Sequence, residues 1–312
     1  MSDFGGIEVW RGGVNSWECD EIGRLNVRFY VARASEGLVG LAAALGLPEA
    51  FREKATATLV VKDHLIRFLR EAQAGSPLHM VAGVLEVGET EARFLQLLVH
   101  SLSGDLVASF QTVVVHATAR NGRAFPWSAA TQRRADSLKI ALPQRAAPRS
   151  LDLAPASANA TMAKAERLGL IRLSAGAVGV SDCDVFGHMR PDALIGRVSD
   201  GVPALAAALR SGEGDKPRPR PNDVGRAVLE YRVSYQAWPR AGDRFEVRSG
   251  LADVGDRTQR FVHWILDPES GRAWVTAEAV AIALNLETRS IIPISPQDQS
   301  RLRARVTPGL TF

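Results

Sequence analysis

Residues 18–25 read ECDEIGRL, and residues 182–189 read DCDVFGHM. Cys19 answers to Cys183, Asp20 to Asp184 and Gly23 to Gly187, each pair 164 positions apart. Farther along, Ala74-Gly75 matches Ala241-Gly242, Val87-Gly88 matches Val254-Gly255, Arg93-Phe94 matches Arg260-Phe261, and Ser103-Gly104 matches Ser270-Gly271, all at an offset of 167. Two constant registers separated by one three-residue step mark a duplicated domain. The second copy holds the extra loop, GEGDKPRPRPND at 212–223.

The copies share a plan. Each motif runs into a stretch with helical apolar spacing, Val27 to Leu45 in the first and Asp192 to Leu209 in the second. Pro191 suits a first helical turn, where a missing N–H costs least. Pro203 predicts a kink or break. Strands follow: Leu229, Tyr231, Val233, Tyr235 and Ala237 alternate with polar residues, the period of a half-buried strand. Short turns then separate Phe245–Ser249, QRFVHWIL and AWVTAEAVAIAL; in the first copy LIRFL, LHMVAGVLEV, ARFLQLLVH and LVASFQTVVVH take these places. Each half therefore reads as a strand, a long helix and a four-strand antiparallel meander, an α+β unit whose helix must bury its apolar face on the sheet. The expected division is a first domain at 1–130, a linker at 131–163 and a second domain at 164–312. The linker is rich in Ala, Pro, Ser, Arg and Gln and shows no periodicity.

Composition narrows the function. The chain has 312 residues, enough for two full cores. Its net charge of +4 is matched by residues 131–150 alone, where Arg133, Arg134, Lys139, Arg145 and Arg149 face one acid, Asp136. A nucleic-acid partner is not expected, because such binders carry the basic excess on a folded face. No run approaches the length of a membrane-spanning helix; Leu38 to Leu47 has only ten residues. The start of the chain has no secretory pattern, and two cysteines cannot build a disulfide framework. A cytoplasmic protein with reduced thiols is the expectation. Phosphate-loop, dinucleotide, zinc-protease and nucleophile-elbow motifs are all missing. The six histidines are scattered, so neither a metal nor a cofactor is expected. Lys216, Arg218 and Arg220 read as an exposed polyproline-like stretch, with phosphate binding as the functional alternative.

The duplicated acidic motif carries the chemistry. An Asp ahead of a helix ordinarily caps it. Three features weigh against leaving it at that and point to chemistry. Glu18 and Asp182 stand two residues before each Asp, where an extended segment would place both carboxylates on one side and raise one pKa. Gly23 and Gly187 would let backbone approach a ligand. The first amides of each helix are donors for an oxyanion. A nucleophilic thiol at Cys19 or Cys183 has no basic partner at useful spacing. Trp17 is expected in the core, His64 and His79 as ordinary strand residues.

ECDEIGRLNVRFY and DCDVFGHMRPDAL resemble the D-x-D-x-x-G-H-x-N motif of hot-dog-fold acyl thioesterases, the 4-hydroxybenzoyl-CoA thioesterase-like group. The resemblance implies a tandem double hot-dog, each half a long central helix wrapped by an antiparallel sheet, with the halves paired to build clefts jointly. It implies a thioester hydrolase acting on acyl-CoA or acyl-acyl carrier protein, with Asp20 or Asp184 as base or nucleophile and helix amides polarising the carbonyl. The motif's His falls at Arg24 in the first copy and His188 in the second; its Asn falls at Asn26 and Arg190. Asp20, Asp184, Asn26 and His188 are the catalytic candidates, leaning towards Asp20. Gly23, Gly187, Arg24, Tyr30 and Arg190 are the substrate-binding ones. A homodimer of such chains is expected. The rivals are a non-catalytic acyl-thioester-binding protein and a hot-dog enoyl-CoA hydratase or dehydratase.

Overall fold

The computed structural model describes residues 4–157, 159–210 and 224–312. Lys216, Arg218 and Arg220, with the rest of the 212–223 loop, lie outside the described residues. The chain divides into two compact units: Met1–Arg149 with Asp184–Asp192, and Ser150–Cys183 with Ala193–Phe312.

In the first unit, β1 (Ile7–Gly13) precedes helix α1 (Val27–Ala44), and β2 (Ala57–Phe68), β3 (Pro77–Val87), β4 (Glu91–His100) and β5 (Leu106–Thr118) follow. The strand order is β1-β3-β4-β5-β2, antiparallel throughout. The expected meander therefore covers only β3 to β5. One edge of β3 is taken by β1, so β2 closes instead on β5, and residues 69–76 cross over rather than turn.

Helix α1 buries Tyr30, Val31, Ala34, Gly37, Leu38, Leu41 and Ala42. The spacing is that of one face, and the face lies on β1 and β3. Gln96 Nε2 donates to the Ala34 carbonyl at 2.6 Å, and its Oε1 accepts from Thr112 Oγ1 at 3.1 Å. Helix and strand meet closest at Gly40, where an added Cβ would stand 2.6 Å from the Val9 carbonyl oxygen. Gly40→Ala would gain about 1 kcal/mol of helix propensity. The clash is with backbone, which cannot swing aside, and such overpacking costs about 3 kcal/mol. We expect a net loss near 2 kcal/mol in urea unfolding; equal or greater stability would show that the contact yields.

Residues 131–163 are more than a tether. Ser128 caps α2 (Ala129–Ser137) through the Thr131 amide, and Thr131 and Ala135 are buried. Ile140 and Ala146 cover the second apolar face of the sheet at Val81, Leu95, Leu97 and Val99. Apart from Gln96, the apolar run Phe94 to Val99 in β4 is what a strand buried on both faces requires. Arg133, Arg134, Lys139 and Arg145 stay exposed.

In the second unit, α3 (Met162–Arg167) and β6 (Ile171–Ala177) precede α4 (Pro191–Arg210); β7 (Val224–Tyr235), β8 (Arg244–Val254), β9 (Gln259–Leu266), β10 (Ala273–Asn285), β11 (Ile291–Ile292) and α5 (Pro296–Arg303) complete it. The order β6-β8-β9-β10-β7 repeats that of the first unit. Contrary to expectation, α4 runs unbroken through Pro203. Proline there forfeits one bond, to the Ser199 carbonyl, and burial of Val198, Leu205, Ala206 and Leu209 on either side holds the helix together. No helix among the described residues is long and apolar enough to cross a membrane.

Candidate active site

Both motifs fold into the same closed turn. The Asp20 amide donates to the Arg24 carbonyl at 2.7 Å and the Gly23 amide to the Asp20 carbonyl at 3.0 Å; the Asp184 amide to the His188 carbonyl at 2.8 Å and the Gly187 amide to the Asp184 carbonyl at 3.0 Å repeat this. Inside the turn, Asp20 Oδ1 accepts from the amides of Ile22 (3.1 Å) and Arg24 (3.0 Å). Asp184 Oδ1 accepts from Phe186 (2.9 Å) and His188 (3.0 Å). The spacing D-x-x-G-x is thus explained locally: Asp organises the turn, and Gly supplies the left-handed position, φ +79° at Gly23 and +77° at Gly187.

Two expectations need correction. Asp20 does not cap α1; Asn26 does, its side chain accepting from the Arg28 amide at 3.0 Å while its carbonyl takes Phe29. Two of the opening amides read as oxyanion donors are therefore engaged. A Cβ at Gly23 would meet nothing within 4 Å, so within the protein it is the backbone angle that calls for glycine here. Finally, Glu18 and Asp20 do not share a site. Residues Ser16–Glu18 form a 3₁₀ turn instead of an extended segment. That turn sends Glu18 to the Asn15 amide (2.9 Å) and the Arg33 guanidinium. Asp182 does the same, with the Gly179 amide (3.3 Å) and Arg197 (2.6 Å). Arg33 and Arg197 went unremarked in the sequence, although they too are 164 apart.

The copies differ in what surrounds the carboxylate. Asp20 Oδ2 accepts from Arg24 Nε (3.1 Å) and Nη2 (3.0 Å), while Arg24 Nη1 reaches Glu71 at 2.9 Å. Both oxygens of Asp20 are committed. In the second copy Arg24 is replaced by His188, and Glu71 by Trp238, which stacks on Tyr235 with centroids 4.7 Å apart. Asp184 is exposed, and its Oδ2 has no partner among the described residues.

The remaining candidates are placed as follows. Tyr30 is 4% exposed, its ring edge-on to Phe68 at 5.1 Å, and burial raises its phenol pKa. Arg190 Nε donates to Asp192 Oδ1 at 3.0 Å and its Nη2 to Oδ2 at 3.4 Å. Asp192 also stands 3.5 Å from Arg28 Nε. Trp17, expected in the core, is 76% exposed because the 3₁₀ turn carries it outward. Burial, then the nearby Asp20 and Glu18, raises the Cys19 thiol, which disfavours the nucleophilic thiolate. His64 lies in β2 and His79 in β3, the latter bonded to Ser101 Oγ at 3.0 Å. No group of three or more His, Cys, Asp or Glu side chains among the described residues is disposed to hold a metal.

Comparison with known proteins bears on this geometry. A family model described as the thioesterase-like superfamily matches residues 14–135 and 178–302, one stretch in each copy. No curated protein matches the chain. Among solved structures, an acyl-ACP thioesterase from Bacteroides thetaiotaomicron is 14% identical, with 87% of this chain and 96% of that one covered at a TM-score of 0.60. The 12:0-ACP thioesterase from Umbellularia californica is 11% identical, with 88% and 93% covered at a TM-score of 0.62. At such identities the likeness is one of fold, and it makes the strand–helix–four-strand units a double hot-dog.

Proposed function

Because the chain belongs to the thioesterase-like superfamily, we propose that it hydrolyses acyl thioesters, with Asp184 as the working carboxylate. One observation carries the choice: Asp184 Oδ1 is fixed by two amides while Oδ2 is open, whereas Arg24 occupies the equivalent oxygen of Asp20. A base or nucleophile needs a lone pair that is positioned and unspent.

In the reaction, water adds its oxygen to the thioester carbonyl carbon and the C–S bond breaks, giving a carboxylic acid and a thiol. Asp184 takes the proton of the attacking water, or attacks the carbonyl itself and is released by water. His188, carried on the same turn, is the titratable group suited to returning a proton to the departing thiolate. The substrate class is acyl-CoA or acyl-ACP.

The test is thiol release from a panel of acyl-CoAs and acyl-ACPs, short to long and aromatic. We expect turnover with at least one acyl group. Binding by calorimetry without thiol release would mark a non-catalytic acyl binder, and hydration of an enoyl-CoA with no free thiol would mark a hydratase.

A further inference from the structure

We infer that Arg28 and Arg190, set by the buried carboxylate of Asp192, form an anion subsite for the phosphate that CoA and the carrier-protein pantetheine have in common. The inference rests on the thioesterase reading for its ligand, and the three residues all belong to the first unit.

The argument begins from a local conflict. Arg28 is the second residue of α1, and the first turn of that helix contains no acid. A cation there faces the positive end of the helix dipole and is unfavourable. Arg190 stands directly before the first residue of α4, at the same disfavoured end. One carboxylate, Asp192, serves both guanidinia: Arg190 at 3.0 Å and Arg28 at 3.5 Å. Two guanidinia thus share one carboxylate, and one of them lies in the opening turn of α1. Asp192 is 5% exposed, so it is a fixed counterion rather than a drifting one.

Asp192 orients Arg28 without saturating it. The Nε atom of Arg28 is buried with no hydrogen-bond partner, and its terminal nitrogens have none among the described residues. A guanidinium held by a side contact with its paired edge open fits a phosphate, which two parallel N–H donors can grip. The duplication adds a further point. Arg28 and Asp192 occupy the same position of the two copies, and Asn26 and Arg190 likewise. The second copy thus carries a cation where the first carries a neutral helix cap. A local rule broken at two positions that meet on one carboxylate is what a binding function leaves behind.

The experiment compares three thioesters of one acyl group, on pantetheine, on 4′-phosphopantetheine and on CoA, together with the acyl-ACP, in wild type, Arg28→Gln and Arg28→Lys. We expect Arg28→Gln to raise KM for the phosphorylated carriers about tenfold with kcat held, and to spare acyl-pantetheine, which has no phosphate. Arg28→Lys should recover part of the loss. The melting temperature of Arg28→Gln should hold or rise, since an unfavourable cation has gone. A loss shared equally by acyl-pantetheine would overturn the subsite. Loss for acyl-CoA but not for phosphopantetheine or acyl-ACP would also overturn it, by moving the contact to the nucleotide. Calorimetric titration of the thiol 4′-phosphopantetheine against pantetheine needs no turnover. If wild type hydrolyses nothing, the thioesterase reading fails, while tighter binding of the phosphorylated thiol that Arg28→Gln abolishes would still uphold the subsite.

Discussion

Asp184→Asn is expected to lower kcat at least a thousandfold in a protein that melts normally, while Asp20→Asn loses less than tenfold and is destabilised instead. Asparagine keeps an oxygen at Oδ1, so the bonds from the Phe186 and His188 amides survive and the turn stays closed. What it removes is the lone pair at Oδ2. Positioned proton transfer is worth 10²–10⁴-fold, so a thousandfold loss, about 4 kcal/mol of barrier, is the size a lost base should produce. Asp20→Asn acts on a different structure. Its Oδ2 is the acceptor of a two-pronged Arg24 contact, and Arg24 in turn holds Glu71, 47 residues away. The amide would face two guanidinium donors with a donor of its own. The pair is partly exposed, so about 1–2 kcal/mol of stability should go. Steady-state kinetics of both variants beside urea melts decides the matter. A thousandfold loss in Asp20→Asn with Asp184→Asn nearly intact would move the chemistry to the first copy.

The division of labour between the copies marks where sequence reading reached and where it stopped. Duplication, both helices and their ends were legible, because registers of 164 and 167 and a 3.6-residue period are local regularities. Val27–Leu45 was read and Val27–Ala44 is found. Strand order was not legible, since β2 and β5 carry no mark of their pairing beyond apolar alternation. That Asn26 and not Asp20 caps α1 was not legible for a related reason: an Asp before a glycine and a helix can close its own turn or cap the helix, and only the backbone path decides. Arg24 could be seen to replace a histidine, but its contact with Glu71 is made across 47 residues, beside the Arg24–Gln73 bridge. The Glu18–Arg33 and Asp182–Arg197 pairs are a different case. Both sit at the offset that revealed the duplication, so extending the comparison past the motif into the helix would have found them.

Acidification should unfold this protein well above the pH at which its carboxylates titrate. His64 in β2 and His263 in β9 are 2% and 3% exposed, and burial pushes both pKa values down to about 4. His263 Nδ1 lies 2.7 Å from Ser249 Oγ, a bond the neutral ring makes without taking up a proton. In the unfolded chain each histidine titrates near 6.5. Between pH 6.5 and about 4, therefore, the unfolded state binds two protons that the native state refuses. Stability rises with pH through that window and is lost as pH falls, at about 1.4 kcal/mol per unit for each histidine. From pH 7 to pH 5 each histidine removes about 2 kcal/mol from the unit that holds it, against an ordinary domain's 5–15. Urea midpoints at pH 7, 6 and 5 measure this directly. His263→Gln should flatten the slope of the second unit, because glutamine does not titrate, whatever it costs in packing at pH 7. A midpoint that stays level from pH 7 to pH 5 would mean that the rings take up protons in the folded state, and that water reaches these two buried sites.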